Sequence, residues 1–438
     1  MNNKLNLGVA RGIITPKIGG LLYGYNSLPH STGVHDDLTL TAYAFSYNDK
    51  KLLYINATLC IFADAIANEI RNMLSEKFDV PFGNIVLGAT HTHSGPSLAS
   101  GHSAWGGLDK EYYEEIFKPV LLDTIEEAYQ NVEPVTMATA TGESDIGINR
   151  RMWQDGTNKM WLGECPWGIL NKKMTILSFK AEDGTVKGNL ICYGAHGTSA
   201  GASTLITRDW SGYMVDSFEE KIGGLTSFVL GPEGDVAPRK LLEVEASLEP
   251  MEALGQYSAK EALRIFESHS EYKDTTLDVN GSKIKVSLLP RMTKEYAISK
   301  KAELEETEKK QGFLYVKEKF EYETCKKTIK SYEDGYVDRE FDEFEQVVFR
   351  IGDVAFAVFG FELFGEIGLR IEYGVKDLNV VNMVCSNGQM GYFPTQAQIA
   401  LGGYEVDQFK NHGVQSYTDD ADYSAISSTI ENINSLER

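Results

Sequence analysis

The sequence has few cysteines, and their spacing is not that of metal-binding or disulfide-rich proteins. The five cysteines, Cys60, Cys165, Cys192, Cys325 and Cys385, are odd in number, widely spaced and form no C-x-x-C pair. This pattern argues against a disulfide framework and against a zinc site built from thiolates. We expect reduced thiols, most of them buried.

Basic residues and long apolar runs are also scarce. The chain has 42 Lys and Arg against 63 Asp and Glu, a formal net charge of -21 that would repel nucleic-acid phosphates and anionic lipid surfaces. No apolar run approaches the ~20 residues of a membrane span, and the N-terminal MNNKLNLGVARG lacks the apolar stretch of a signal peptide. We therefore expect a cytoplasmic protein without a nucleic-acid partner and without membrane insertion.

What is present is the composition of a folded protein, with 42% hydrophobic and 24% charged residues in 438. Apolar periodicity predicts alternating strands and helices in the first third of the chain. The strands are predicted at residues 41–47, 51–61 and 85–90, and the helices at 62–74 and 111–129. We expect a layered α/β fold with mixed sheets and flanking helices.

Further strands are predicted along the rest of the chain, at residues 174–181, 188–195, 226–231, 346–360 and 379–386. The Asn280-Gly281 pair predicts a hairpin turn inside residues 277–289.

Residues of about 292–340 differ from the rest, because charges of both signs are densely mixed there. This pattern predicts exposed helices with salt-bridging faces. Two interpretations stay open: a solvated helical insertion, or a cap over an active site. We expect residues 1–438 to form a single domain that carries this insertion.

Two of the eight histidines stand together in Thr90-His91-Thr92-His93-Ser94-Gly95-Pro96, directly after the apolar strand Ile85-Val86-Leu87. Residues i and i+2 at the end of a strand project to the same side, so His91 and His93 can converge on a metal. The alternative is a pair of surface histidines in a Gly/Ser loop.

His196 follows another apolar strand, in Cys192-Tyr193-Gly194-Ala195-His196, among small residues that leave room for a ligand. Ligands of open α/β sheets bind beyond the carboxyl ends of the strands. The positions of His91 and His196, each after a strand, therefore both indicate a ligand site there. His196 could equally be a structural histidine. His35, beside Asp36 and Asp37, is interpreted as a supporting or structural residue.

The run from Thr90 to Pro96, together with Asn149-Arg150, Gly234-Asp235-Val236-x-Pro238 and Gly391-Tyr392, resembles the catalytic domain of the neutral ceramidase family. Agreement in the same order extends over roughly residues 5 to 410. It includes Gly8-Val9-Ala10-Arg11, Gly24-Tyr25, Gly33-Val34-His35 and Arg208-Asp209-Trp210-Ser211-Gly212-Tyr213.

By this resemblance, the zinc ligands would be His91, His196, Glu362 and Tyr392. Two imidazoles and a carboxylate are a normal catalytic zinc set that leaves a position for water. Tyr392 is less usual, because a phenol has a pKa of ~10, and it could instead be a packed aromatic. Glu366 competes with Glu362, which is preferred because its six-residue distance to Gly368 resembles the family's spacing.

The resemblance also implies catalytic roles for three residues. His93 would act as general acid and base, and Arg150 would stabilise an oxyanion. Asp235 could orient water or a donor, although a Gly-Asp turn is often only a turn. Arg150 could also be an ordinary surface arginine.

The sequence departs from the family in two respects. Ala237 stands where the family carries a serine, so covalent serine catalysis at that position is ruled out and attack by metal-activated water is expected. Ser94 or Ser211 would have to replace the family serine as nucleophile. The chain also stops about 45 residues after Tyr392, where larger members continue into a C-terminal β-sandwich, and we expect no such sandwich here.

These observations predict a zinc-dependent hydrolase of an amide, N-acyl bond. An ester or lactone hydrolase with the same site, and a metal- or ligand-binding homologue without turnover, are the alternatives. The expected partner is a small-molecule N-acyl or ester substrate, and homo-oligomer formation stays open. Iron, manganese or cobalt would suit the same ligands nearly as well as zinc.

Overall fold

The computed structural model describes residues 4–25, 27–99, 107–156, 159–242 and 247–437. Two β-sheets pack face to face, and helices cover their outer faces. The fold is therefore mixed α/β, as predicted.

The strands of the described residues, in chain order, are β1 Asn6–Ile13, β2 Gly33–Val34, β3 Thr39–Tyr47, β4 Lys50–Ala57, β5 Ile85–Ala89, β6 Glu133–Glu143, β7 Gly147–Asn149, β8 Arg151–Gln154, β9 Lys159–Leu162, β10 Lys173–Ala181, β11 Val186–Tyr193, β12 Leu205–Ile206, β13 Leu225–Leu230, β14 Val236–Pro238, β15 Leu277–Ser287, β16 Phe341–Ile351, β17 Val354–Val358, β18 Glu362–Leu363, β19 Asn379–Met383 and β20 Tyr392–Phe393.

The α-helices are α1 Asp64–Phe78, α2 Lys110–Tyr112, α3 Lys118–Gln130, α4 Asp209–Ile222, α5 Glu249–Phe266, α6 Lys294–Gln311, α7 Val316–Glu333, α8 Gly365–Gly374, α9 Gln396–Ile399, α10 Tyr404–Lys410 and α11 Ala421–Asn434. A 3₁₀ turn, Phe82–Asn84, precedes β5, and a π-helical turn, Tyr113–Phe117, joins α2 to α3.

The larger sheet has eight strands in the order β13-β11-β10-β6-β1-β3-β4-β5. Its central pairs are antiparallel, whereas the end pairs β11/β13 and β4/β5 are parallel. Parallel neighbours need a crossover connection, and α4 and α1 provide it. The sheet therefore carries an α/β unit at each end.

The smaller sheet has the order β15-β16-β17-β19 and packs on the larger one through a shared apolar core. Alternate residues of β3 show how the layers form. Tyr43 and Phe45 face the smaller sheet, while Ala42 and Ala44 face the helices. Both faces of the strand are buried, which explains why its sequence is almost continuously apolar.

The ends of the larger sheet curl toward each other. The side-chain amide of Asn56 on β4 donates to the carbonyl of Phe228 on β13 at 2.9 Å, although the two strands belong to opposite ends of the sheet. Beyond the strands, Thr92 and Gly197 form a β-bridge. The curl brings the carboxyl end of β5 beside that of β11.

The parallel pair β17/β19 of the smaller sheet points its carboxyl ends to the same place. The amide of Ala89 donates to the carbonyl of Cys385 at 3.3 Å, and the amide of Val384 donates to the carbonyl of Leu230 at 3.1 Å. These bonds join the segment after β19 to β5 and β13. The ends of three parallel strand pairs thus meet, as ligand sites of α/β sheets require.

The Asn280-Gly281 turn predicted from the sequence is wrong. Both residues lie inside β15, which pairs continuously with β16 from Leu277↔Ile351 to Ser287↔Phe341. A pairing of eleven residues outweighs the turn preference of one dipeptide. Asn48 and Asp49 form the turn that joins β3 to β4.

The remaining predictions about organisation have mixed outcomes. All five cysteines are buried and unbridged, as expected. Residues 394–437 contain helices, and the described residues show no β-sandwich after β20. No helix in the described part of the chain is long and apolar enough to cross a membrane. The division into one domain with an insertion at about 292–340 stays a prediction.

One close contact tests how tightly the helix layer packs on the larger sheet. A Cβ on Gly8 of β1 would lie 1.9 Å from the backbone carbonyl oxygen of Ala128 in α3. We expect Gly8→Ala to force α3 away from the sheet and to lower the free energy of unfolding by ~1–3 kcal/mol. Urea unfolding followed by circular dichroism measures this loss.

The matched control is Gly281→Ala, because a Cβ there meets nothing within 4 Å. We expect Gly281→Ala to leave the unfolding free energy within ~0.5 kcal/mol of the wild type. Equal stability of the Gly8→Ala protein and the wild type would contradict this packing of α3.

Candidate metal centre

His91 stands two residues beyond β5, in a left-handed backbone conformation with φ of 63°. Such a conformation is unusual for a residue other than glycine and is often found at functional sites. Its Nδ1 lies 3.0 Å from the carbonyl of Cys60, to which it can only donate. The proton is therefore on Nδ1, and Nε2 presents a lone pair.

The convergence of His91 and His93 predicted from the sequence is observed, but not on a strand. β5 ends at Ala89, and the left-handed turn at His91 sets the direction of its ring. The two Nε2 atoms lie 3.3 Å apart, and the ring centroids are separated by 4.9 Å.

His196 follows β11 and is held in the same way. Its Nδ1 donates to the carbonyl of Val236 at 3.0 Å, and the indole of Trp210 donates to its backbone carbonyl at 2.9 Å. Burial, followed by the charge of Arg150, lowers the pKa of His196 to about 3. His196 is therefore neutral at pH 7, with the Nε2 lone pair directed inward.

Glu362 supplies the carboxylate, from β18 immediately beyond β17. Its Oε1 accepts from the side-chain amide of Gln389 at 2.6 Å, whereas its Oε2 is buried without a hydrogen-bond partner. Burial opposes ionisation, but the positive charge that His91 and His196 carry when protonated outweighs it and holds the pKa of Glu362 well below its usual value. Glu362 therefore carries a negative charge.

The donor atoms have the separations of a tetrahedral site. Oε2 of Glu362 lies 3.6 Å from Nε2 of His91 and 3.3 Å from Nε2 of His196. Ligand atoms at ~2.0–2.1 Å from a tetrahedral zinc ion are about 3.4 Å from one another. Two neutral imidazoles and an ionised carboxylate with an unused oxygen thus fit a divalent metal.

Tyr392 lies in β20, which pairs in parallel with β18 so that Glu362 and Tyr392 are directly opposite. Its hydroxyl oxygen is 3.5 Å from Nε2 of His196. Burial raises the pKa of Tyr392 well above its usual value, although Arg150 acts against it. Glu366, the rival of Glu362, forms an ion pair with Arg370 in α8.

His93 lies beside the three donors, with Tyr25 edge-on to its ring at 5.0 Å. Its Nδ1 is buried and has no hydrogen-bond partner. Burial and the neighbouring imidazoles of His91 and His196 hold the pKa of His93 well below its usual value. Neutral His93 can therefore accept a proton.

The guanidinium of Arg150 faces the same cluster of donor atoms. Its Nη1 lies 2.9 Å from Nε2 of His196, and its Nη2 is buried without a partner. Glu405 in α10 holds the other side, accepting from Nε of Arg150 at 2.9 Å and from Nη1 of Arg151 at 2.6 Å. Glu405 was not predicted from the sequence, because its pairing with Arg150 spans 255 residues.

Asp235 is placed next to the cluster rather than within it. Its Oδ2 accepts from the side-chain amide of Asn149 at 2.9 Å, and its Oδ1 accepts from the backbone amide of Gly365 at 2.7 Å. Burial raises the pKa of Asp235 to about 6. Both oxygens are engaged in joining β7 to the start of α8.

Ala237 and the two serines considered as substitutes lie elsewhere. Ala237 pairs with Ile148 across β14/β7 and lines a separate cleft with residues 198–205. Ser211 donates to the carbonyl of Arg208, and Ser94 is buried. His35 contacts Asp36, Glu252 and Tyr213.

One acidic residue of the cluster was not predicted. His91, His196, Glu233 and Glu362 each offer a ligand atom within 4.8 Å of the others. Glu233 is fully buried and accepts from the thiol of Cys385 at 3.4 Å. It stands directly before the Gly234-Asp235 motif, so the immediate neighbourhood of that motif could have indicated it.

A cavity of ≈ 220 Å³ opens above the cluster. Its floor includes His91, His93, Glu362 and Tyr392, and its outer wall includes residues of α7 from the charged segment. Of the two interpretations of that segment, a cap over the site agrees with this arrangement.

Comparison with known proteins gives a consistent picture. The family model of the neutral/alkaline non-lysosomal ceramidase N-terminal domain matches residues 5–253. "Neutral ceramidase B" of Dictyostelium discoideum is 26% identical over 236 residues, covering 50% of this chain and 33% of that protein. "Neutral ceramidase" of Pseudomonas aeruginosa is 27% identical over 218 residues, covering 48% and 32%. These matches span about a third of each relative.

The crystal structure of neutral ceramidase from Pseudomonas aeruginosa superimposes with a TM-score of 0.73 at 18% identity, covering 99% of this chain and 74% of that chain. At this identity the likeness shows the fold. The family match includes His91 and His196, whereas Glu362 and Tyr392 lie beyond its last residue, 253.

The buried pairing that holds Arg150 can be tested by Glu405→Gln. The substitution removes a carboxylate that is 1% exposed and leaves two arginines without their counter-charge. We expect the unfolding free energy, measured with urea, to fall by ~3 kcal/mol or more. Glu366→Gln is the matched control, because its partly exposed pair with Arg370 should cost only ~1 kcal/mol or less. Equal losses in the two variants would contradict the role given to Glu405.

Proposed function

Because this chain belongs to the neutral/alkaline non-lysosomal ceramidase family, we propose that it is a zinc-dependent hydrolase of an amide, N-acyl bond. The observation that carries the proposal is the buried, partnerless Oε2 of Glu362 facing two imidazole lone pairs. A buried carboxylate is energetically costly unless it is paired with a positive charge or coordinates a metal.

His91, His196 and Glu362 would hold the metal, and Tyr392 would lie beside it as a weaker ligand that still leaves a position for water. Zinc bound there would polarise a carbonyl and lower the pKa of water to ~7. The two imidazoles need no deprotonation, because burial lowers the pKa of both His91 and His196. Tyr392, whose pKa burial raises, would bind as a phenol or give up its proton to the metal's charge.

His93 would move the proton. As a neutral imidazole beside His91, it can take a proton from the attacking water while the water oxygen forms a bond to the carbonyl carbon. The protonated ring can then give that proton to the amide nitrogen as the carbon–nitrogen bond breaks. The products are a carboxylic acid and an amine, so atoms and protons balance.

Arg150 would stabilise the oxyanion that forms on the carbonyl oxygen. Its Nη2 has no partner, and its Nη1 faces the His196 lone pair that a metal would occupy. One lone pair cannot serve both, so metal binding would free Nη1. Two N–H groups would then be available to the developing negative charge.

Asp235, predicted as catalytic, is now proposed as a positioning residue. Its carboxylate joins Asn149, the neighbour of Arg150, to Gly365, three residues after Glu362. With Ala237 in place of a serine, direct attack by water is the route that this set of side chains supports.

The proposal predicts separable effects at His93. His93→Ala should reduce kcat for an N-acyl substrate by ~10²-fold or more and leave the zinc content unchanged, because His93 is not among the proposed ligands. Amine release and metal content are measured on the same preparations. A chelator should abolish amine release by the wild type, and added zinc should restore it.

A matched ester of the same acyl group separates the ester alternative. Faster turnover of the amide, after allowing for the two uncatalysed rates, supports an amidohydrolase. Full activity of His93→Ala on the amide would refute the proton-transfer role.

A further inference from the structure

The cavity above the cluster has a polar outer wall. Its volume of ≈ 220 Å³ is below the roughly 300–1,000 Å³ of pockets that enclose drug-sized ligands. The polar side chains of this wall are Glu323, Lys327, Gln389, Gln408, Asn411 and His412. A long alkyl chain would leave these groups without water or a partner, which is unfavourable.

The wall is part of the packed structure. Thr324 of α7 donates to the backbone carbonyl of Asn411 at 3.2 Å, and Lys317 pairs with Asp407 of α10 at 3.5 Å. Helix α6 supports α7 from behind, where Tyr322 donates to Glu305 at 3.1 Å. The position of α7 over the cavity is thus fixed at several points.

The acidic and the basic residue of α7 in this wall differ in their ion pairing. Glu323, which also lines the cavity, is paired with Lys326 at 2.7 Å. Lys327 is exposed, forms no ion pair with any residue that the structure describes, and is among the residues that line the cavity. In a chain with a net charge of -21, an unpaired cation beside a ligand cavity favours an anionic group there.

We propose that α7 selects compact N-acyl compounds bearing a carboxylate, and that Lys327 binds this carboxylate. The inference rests on the proposed amide hydrolysis for the chemistry at the cavity floor, but the recognition of the anion has its own basis in the wall. Lys327 is then a specificity-determining residue, and the charged segment has a role in substrate choice.

The test uses two probes that differ in one charge, N-hexanoylglycine and its neutral amide N-hexanoylglycinamide. Binding is measured by calorimetry in the full-length His93→Ala protein, in which turnover is slow. We expect N-hexanoylglycine to bind about 2- to 5-fold more tightly than the amide, as for one partly exposed charge pair. Long-chain ceramide in detergent micelles should bind more weakly than N-hexanoylglycine.

Adding Lys327→Ala should abolish the preference for the acid, and Lys327→Arg should retain it. Lys330→Ala is the matched control, because Lys330 is exposed on the same helix and does not line the cavity. Equal or absent binding of the two probes, an unchanged preference in Lys327→Ala, or tighter binding of ceramide would overturn the inference.

Amine release by the wild type separates this inference from the proposed function. A preference for the acid in binding, without amine release from either probe, would contradict amide hydrolysis and leave the role of Lys327 standing. Equal kcat/KM for both probes would support hydrolysis and overturn the role of Lys327.

Discussion

The arrangement of the site depends on two backbone carbonyls that fix the protons of two imidazoles. The carbonyl of Cys60 takes the Nδ1 proton of His91, and the carbonyl of Val236 takes that of His196. Each ring is thereby held in the tautomer that turns the Nε2 lone pair inward. Without these bonds, the carboxylate of Glu362 would face rings of undefined orientation.

The fold supplies these elements from distant parts of the chain. A curled eight-stranded sheet brings His91 and His196 together from its two ends. The separate parallel pair β18/β20, which follows β17 and β19 of the smaller sheet, contributes Glu362 and Tyr392. Close backbone packing maintains the junction. A Cβ on Gly234 would lie 2.4 Å from the carbonyl oxygen of Glu362, so glycine is required where the segment after β13 meets β18.

The histidines of the site could be predicted from the sequence, because their immediate neighbours along the chain identify them. His91, His93 and His196 each follow an apolar strand among small residues, and both that context and the family motif point to them. Glu362 could be preferred over Glu366 only through the spacing of the family. The structure supplies the physical distinction, since Glu366 pairs with Arg370 while Glu362 faces the histidines.

Long-range partners could not be predicted from one sequence. Glu405 meets Arg150 and Arg151 across about 255 residues, and nothing near position 405 indicates this. The Asn280-Gly281 turn failed for the same reason, because a distant strand, β16, decided the conformation of that dipeptide. Local patterns predicted elements and ligand types, whereas tertiary pairing determined register and orientation.

The central claim is that His91, His196 and Glu362 hold a metal. The most direct measurement is the metal content of the purified protein by plasma mass spectrometry, beside a folded His91→Ala/His196→Ala variant and a His269→Ala control, whose ring stacks on Phe266 away from the cluster. We predict about one zinc ion per chain in the wild type and the control, and none in the double variant. A wild-type protein that contains no metal and takes up none on addition of zinc would contradict the account.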